Sequence, residues 1–242
     1  MRFALSPRSD AVDLASFFAA QGHVSVPLFL AGEAAGGLLS NLASRNDWRL
    51  AVNAGENVYD LDPVALSPQQ GDELTQRVHA AASTGFQFRF GSVRVPDVID
   101  EREPTRDPLH AFAEFMRSEA VLDLLRQISG RTAIAYADAQ ATAYHPGDFM
   151  TGHDDGIKGK HRELAYVLNL TPQWRVEWGG LLLFHEAGGQ VRGLAPGFNC
   201  LNIFAVPVLH SVSQVTPFAG AVRYSVTGWL RNREPDPRDQ TS

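Results

Sequence analysis

Two histidines and an aspartate in this chain have the types and order of a metal-ligand set: His153-Asp154-Asp155, with His210 much further along. Two imidazoles and one carboxylate cover one face of an octahedral Fe(II) and leave the opposite face free for O2 and a chelating cosubstrate, as in non-haem iron oxygenases. Alternate residues of a β-strand share a side, so a strand through this run would aim His153 and Asp155 at one ion and turn Asp154 away. His210 must then come from a second strand brought alongside. A His-X-Asp spacing alone recurs by chance. A ligand pair, a distal His and a strand Arg, in that order, are much harder to produce accidentally.

The arginine is Arg223, in Arg223-Tyr224-Ser225-Val226-Thr227-Gly228-Trp229. Strands over 210–215 and 222–230, joined at Pro217-Phe218-Ala219-Gly220, read as a hairpin with His210 opposite Thr227. Arg223 would then lie about 13 Å along the strand at ~3.3 Å per residue. From there a guanidinium fork can grip one carboxylate of a small diacid whose other end chelates the iron. Ser225 and Thr227 share the Arg223 face and would complete a polar floor.

Positioning these groups requires strands, and the second half has their texture. Short apolar runs from Arg131 onward are punctuated by Gly and Pro, with about eight strands in the last hundred residues. Over Thr132 to Tyr144 alanines occupy one face and largely polar residues the other, a pattern that fits either a solvated face or the lining of a wet cavity. The first half is mixed. Helices are expected over 10–21, 31–45, 71–82 and 108–128, a strand over 23–30, and a long charged loop over Arg89 to Arg106 that could cover a site. Residues 1–130 thus read as a helix-rich supporting part, 131–232 as a jelly-roll core and 233–242 as a flexible tail. The fold class is α+β with a double-stranded β-helix (jelly roll) as catalytic core, in one domain.

Composition narrows the function classes. A formal net charge of -6, with 21 scattered Lys+Arg, lacks the concentrated basic stripe of a nucleic-acid binder. No segment has the apolar length of a membrane span and the N-terminus lacks signal-peptide character, so a cytoplasmic location is expected. Cys200, the one cysteine, lies in an apolar run and reads as a buried small hydrophobe. His145, His161 and His185 read as solvated or supporting groups, and Trp174 and Trp178 as packing anchors.

The region from about Ala133 to Arg231 resembles the 2-oxoglutarate- and Fe(II)-dependent dioxygenases of the prolyl-hydroxylase branch, including the eukaryotic enzymes that hydroxylate a ribosomal-protein proline. Gly152-His153-Asp154-Asp155, Arg162, Leu168-Asn169-Leu170, Trp174, Gly179-Gly180-Leu181-Leu182, Pro196, Asn199, Phe204, His210-Ser211-Val212 and Arg223 to Trp229 carry the resemblance. It implies that His153, Asp155 and His210 hold Fe(II) and that Arg223 binds the distal carboxylate of 2-oxoglutarate, with Tyr144 as a further cosubstrate contact. The implied reaction couples oxidative decarboxylation of 2-oxoglutarate by O2 to hydroxylation of a substrate C–H bond, with ascorbate as a possible addition.

One departure concerns Val167-Leu168-Asn169, where the family commonly has Tyr-Leu-Asn; the second tyrosine contact is expected to be lost. Asp155 argues against the related halogenases, whose site has no carboxylate ligand. The substrate expected is a peptidyl proline, with a free amino acid or other small molecule as the alternative. Two readings outside oxygenase chemistry are a cupin-like metal module, which does not need Arg223, and a catalytically silent scaffold.

Overall fold

The computed structural model describes residues 1–97 and 101–234. The polar tail beyond 234 and the centre of the 89–106 segment, at 98–100, lie outside the described residues.

Helix α1, Ala11–Gln21, stops where Gly22 takes a left-handed φ of 71° and donates its N–H to the Phe18 carbonyl. Strand β1, His23–Val26, follows at once. Helix α2, Ala34–Ser44, buries Ala35, Leu38 and Leu42. Strands β2, Arg49–Ala54, and β3, Asn57–Leu61, form a hairpin with no counterpart in the sequence reading. Helix α3, Pro68–Ala82, is started by a capping box between Ser67 and Gln70 with proline in the first turn.

Strand β4, Phe88–Arg94, occupies the start of the segment read as a covering loop. Its charged residues misled because both are paired in place: Arg89 with Asp148, and Arg94 with Asp60 at 3.4 Å. Beyond it, Arg102 is buried, with Nη1 donating to Glu114 and Nη2 to the Tyr136 hydroxyl. The described part of this segment is therefore pinned to the body of the molecule. The single helix expected over 108–128 is two, α4 (Pro108–Met116) and α5 (Glu119–Ser129), because Ser118 between them is extended.

The remaining strands are β5 (Tyr136–Ala137), β6 (Gln140–Tyr144), β7 (Phe149–His153), β8 (Arg162–Asn169), β9 (Leu182–His185), β10 (Val191–Leu194), β11 (Cys200–Ala205), β12 (His210–Val212) and β13 (Arg223–Arg231). Their order, β1-β11-β8-β13-β6-β4-β7-β12-β9-β10, is one curled antiparallel sheet. Strand β4 makes the bend, since its Gly91 to Arg94 pair with β6 while Phe88 and Arg89 pair with β7. The long-stranded part, β1-β11-β8-β13-β6, thus faces the short-stranded part, β7-β12-β9-β10. Ala165, Val167 and Phe204 from the first pack against Leu182 and Phe184 from the second. This is the jelly roll that the strand pattern implies.

Helices α1, α2, α4 and α5 lie against the other face of the long strands, and the main core joins Leu38, Phe112, Leu125 and Ile128 to Leu164, Tyr166, Ile203, Val226 and Leu230, while α3 packs Val78 against Val52 and Phe149. Gly228 is required here. A Cβ at that position would lie 2.2 Å from the Asp138 carbonyl and 2.7 Å from the Tyr166 ring. The alternating run before Tyr144 is broken into β5 and β6 at Asp138, whose buried carboxylate pairs with Arg231 and accepts the Trp229 N–H. Its polar face turns inward: Thr142 is buried and lies 2.8 Å, hydroxyl to hydroxyl, from Ser225.

The expected hairpin between 210–215 and 222–230 does not form. Strand β12 pairs with β7 and β9, and β13 with β5, β6 and β8. The turn at 216–219 exists, with Ala219 N–H donating to the Thr216 carbonyl, but the residues before it bond elsewhere. Val215 N–H donates to Asp148, and Thr216 N–H to Trp178. The connection therefore crosses from one layer to the other.

Candidate functional site

His153 ends β7 and His210 begins β12, directly opposite in register, with ring centroids 4.1 Å apart. His153 Nδ1 lies 3.0 Å from the Thr151 carbonyl and His210 Nδ1 2.8 Å from that of Val208. A carbonyl only accepts, so Nδ1 is the donor in both rings, which leaves Nε2 as the nitrogen each can offer a metal. The two Nε2 atoms lie 3.7 and 3.5 Å from the carboxylate oxygens of Asp155. That is too far for good hydrogen bonds, yet within the ~4 Å that one ion can bridge with bonds of ~2.0–2.2 Å.

Asp155 reaches this position differently from the strand rule. Strand β7 stops at His153, and Asp155 has a left-handed φ of 62°, so a turn swings its carboxylate back toward the histidines. Aspartate is among the few non-glycine residues enriched in that conformation. Burial, then the neighbouring His153, hold the His210 imidazole below its ordinary pKa, against the opposing pull of Asp155, which favours the neutral form a metal requires. Among the described residues no other trio of His, Cys, Asp or Glu comes together in this way.

Two residues quoted above only as part of the resemblance brace this cluster. Arg162 donates Nη1 to the Asp155 carbonyl at 3.1 Å, and the same nitrogen lies 3.6 Å from its carboxylate. The guanidinium lies over the Trp229 ring at 3.5 Å.

Arg223 lies on the long-stranded side, opposite Tyr144 in register, with its guanidinium carbon 5.1 Å from the Tyr144 ring centroid. It is only 2% exposed. Its one polar contact is a long 3.4 Å donation to Asn169; Nε has no partner, and among the described residues no carboxylate pairs with it. A buried guanidinium without a counter-charge is costly, so this pocket is built for an anion. Burial lowers the Arg223 pKa, and burial raises that of the Tyr144 phenol well above its ordinary range, keeping it neutral. Tyr144 packs with Phe88, Phe90, Met150 and Val212. Val212 is two residues from His210 on β12, so anion pocket and metal cluster share one interior.

The remaining expected contacts divide. Ser225 is fully buried but shares its hydroxyl with Thr142, and Thr227 approaches the Gln140 carbonyl at 3.5 Å. Both lie on the face of β13 that runs from Arg223 to Trp229, with Thr227 opposite Val167. Val167 packs with Ala165, Leu182, Phe184 and Phe204 and offers hydrocarbon where the resemblance has a phenol. Asn169, Phe88 and Phe90 were given no site role from sequence. Phe90 was hidden by the reading of 89–106 as a loop and Phe88, just before it, was assigned to no element, although their spacing is that of one strand face.

Residues 139–231 match the family model described as the 2OG-Fe(II) oxygenase superfamily, a range containing both the metal cluster and the anion pocket. Fold, donor set and this match make the 139–231 region similar to the 2OG-Fe(II) oxygenases. The chain's relatives include the mouse (Mus musculus) Prolyl 3-hydroxylase OGFOD1, 32% identical over 184 residues, covering 71% of this chain and 33% of that protein. The Xenopus laevis protein of the same name is 36% identical over 101 residues, 38% of this chain and 19% of its own length. The chain thus spans a third or less of these relatives. Among solved structures, a Pseudomonas putida prolyl-4-hydroxylase superposes with a TM-score of 0.58 at 21% identity, covering 92% of this chain and 99% of its own. A Trichoplax adhaerens prolyl hydroxylase, in complex with a hypoxia inducible factor oxygen degradation domain peptide fragment, gives 0.61 at 17%, covering 92% and 89%. At these identities the likeness is one of fold.

Proposed function

We propose that this chain is an Fe(II)- and 2-oxoglutarate-dependent dioxygenase that hydroxylates a prolyl residue in a peptide or protein. The observation that carries the reading is the buried, unpaired Arg223 in the same interior as the His153, Asp155 and His210 cluster. A metal module without oxygen chemistry has no use for a second, anion-seeking charge at this cost. Proline as target is supported by the relatives, which are named prolyl hydroxylases.

Bound iron supplies the oxygen chemistry, in which 2-oxoglutarate is decarboxylated to succinate and a substrate C–H bond is hydroxylated. The protein's work is binding and exclusion. His153 and His210 offer Nε2 with the other nitrogen fixed by a carbonyl, and Asp155 adds the negative charge that Arg162 steadies. Arg223 takes the far carboxylate of the cosubstrate, beside Asn169. Phe88, Phe90, Met150 and Val212 keep water from that pocket and so strengthen the ion pair formed there.

The test is succinate release from 2-oxoglutarate by anaerobically Fe(II)-loaded protein on admission of O2, with and without ascorbate and proline-containing peptides. O2-dependent succinate, raised by a peptide that gains one oxygen atom, is the expected result. Metal binding without 2-oxoglutarate binding would instead favour the metal-module reading. Turnover coupled only to a free amino acid would replace the peptide as substrate.

A further inference from the structure

A row of aromatic rings runs along the interior from the anion pocket to the metal cluster. Tyr144, beside Arg223, stacks on Phe90 at 5.3 Å; Phe90 lies 5.4 Å from Phe88, Phe88 5.6 Å from Phe86, and Phe86 5.1 Å from the His153 ring. The first three are nearly buried, at 3%, 6% and 7% exposure, whereas Phe86 is 45% exposed. Scattered surface aromatics are ordinary. This one differs because it continues a buried row and rests on a candidate metal ligand.

Its backbone is also fixed. The Phe86 carbonyl accepts from the buried Asn53 side chain at 3.0 Å. On either side, the Gly85 carbonyl accepts from the Thr151 hydroxyl at 3.2 Å, and that hydroxyl accepts the Gln87 N–H at 2.8 Å. Thr151 N–H in turn donates to the Gln87 carbonyl. A ring on so anchored a backbone loses little freedom when a ligand covers it, and what it offers is a flat apolar face. That face borders the His153 ring, so a residue brought to the cluster from this side meets it.

Resting on the oxygenase reading above, we infer that Phe86 is a specificity-determining residue: its exposed face packs against the ring of the target proline and sets which residue is presented to the metal. Phe88, Phe90 and Tyr144 wall the cosubstrate, and Phe86 is the one member of the row left for the substrate.

The test uses the full chain loaded with Fe(II), and a synthetic library of blocked peptides with a central proline, read by mass spectrometry for oxygen incorporation from labelled O2. For the best peptide, kcat and KM are measured in wild type, Phe86→Ala, Phe86→Leu and Phe86→Tyr, with Mn(II) and 2-oxoglutarate affinities by titration. The expected result is a rise in peptide KM of about tenfold or more in Phe86→Ala, less in Phe86→Leu, and recovery in Phe86→Tyr. Mn(II) and 2-oxoglutarate affinities are expected to stay unchanged. An unaltered peptide KM in Phe86→Ala, or a matching loss of Mn(II) affinity that makes the ring a prop for His153, would overturn the assignment and leave the oxygenase reading intact. No hydroxylated peptide from an O2-active wild type would overturn the prolyl reading, and this assignment with it.

Discussion

The two layers of the barrel contribute to the site by different means. The long-stranded layer, with the eight-residue β8 and nine-residue β13, brings Arg223, Tyr144, Asn169 and Ser225 together by strict register and alternation. The short-stranded layer, where β12 has three residues and β9 and β10 four, supplies the metal cluster through its irregularities. His153 ends a strand, the pairing of β7 with β12 slips between His210 and Val212, and Asp155 sits in a left-handed turn. Regular sheet fixes an anion pocket whose walls only need to be apolar and deep. Three donor atoms that must meet within a few ångströms need turns and bulges to aim them.

If the layers act separately, changes in one should leave the other's ligand in place. The largest effect is expected from Asp155→Ala, which removes the only anion of the cluster; turnover should fall to background and metal affinity by at least about tenfold, with the helix content of wild type retained. Circular dichroism with a metal titration checks both halves. Next, Arg223→Ala should weaken 2-oxoglutarate binding on the order of 10²–10³-fold, the loss expected for a buried charge-assisted contact, while metal affinity changes little.

Gly228→Ala probes the shared long-stranded wall without touching a ligand. Its methyl would overlap the Asp138 carbonyl and the Tyr166 ring, so a loss of about 1–3 kcal/mol in denaturant-induced unfolding is expected, with metal affinity per folded molecule preserved. The smallest effect lies at the seam, where His23 of β1 stacks on Phe184 of β9 at 4.3 Å with Nδ1 unpartnered. Burial, then Arg192, lower the His23 pKa. The unfolded chain therefore takes up its proton first as pH falls through ~6.5, and folding stability drops with it. His23→Phe keeps the stack and should flatten the dependence of melting temperature on pH between about 7 and 5.

The same division explains what was legible in the sequence. Strand β8, Arg162–Asn169, is one of the short apolar runs that read as strands, because its pattern is local and both neighbours bury it. The common face of Arg223, Ser225 and Thr227 likewise follows from alternation alone. Partnership between strands is not local. Pro217-Phe218-Ala219-Gly220 makes its turn, yet 210–212 and 223–231 join different layers, and nothing in the turn residues records the partners. His153, Asp155 and His210 were named together and lie together, but the turn at Asp155 replaces the strand geometry first used to join them. Most of strand β4, and with it Phe90, was obscured because Arg89 read as part of a charged loop until Asp148 is seen beside it; Phe86 and Phe88 lie just before that loop and were assigned to no element.

The separation of the two layers is tested most directly by anaerobic titration of Mn(II), and then of 2-oxoglutarate, into wild type and Arg223→Ala. The expected result is metal affinity within about threefold of wild type, together with 2-oxoglutarate binding weakened on the order of 10²-fold or more. Equal losses of both, or unchanged 2-oxoglutarate binding, would contradict the division of the site between the two layers.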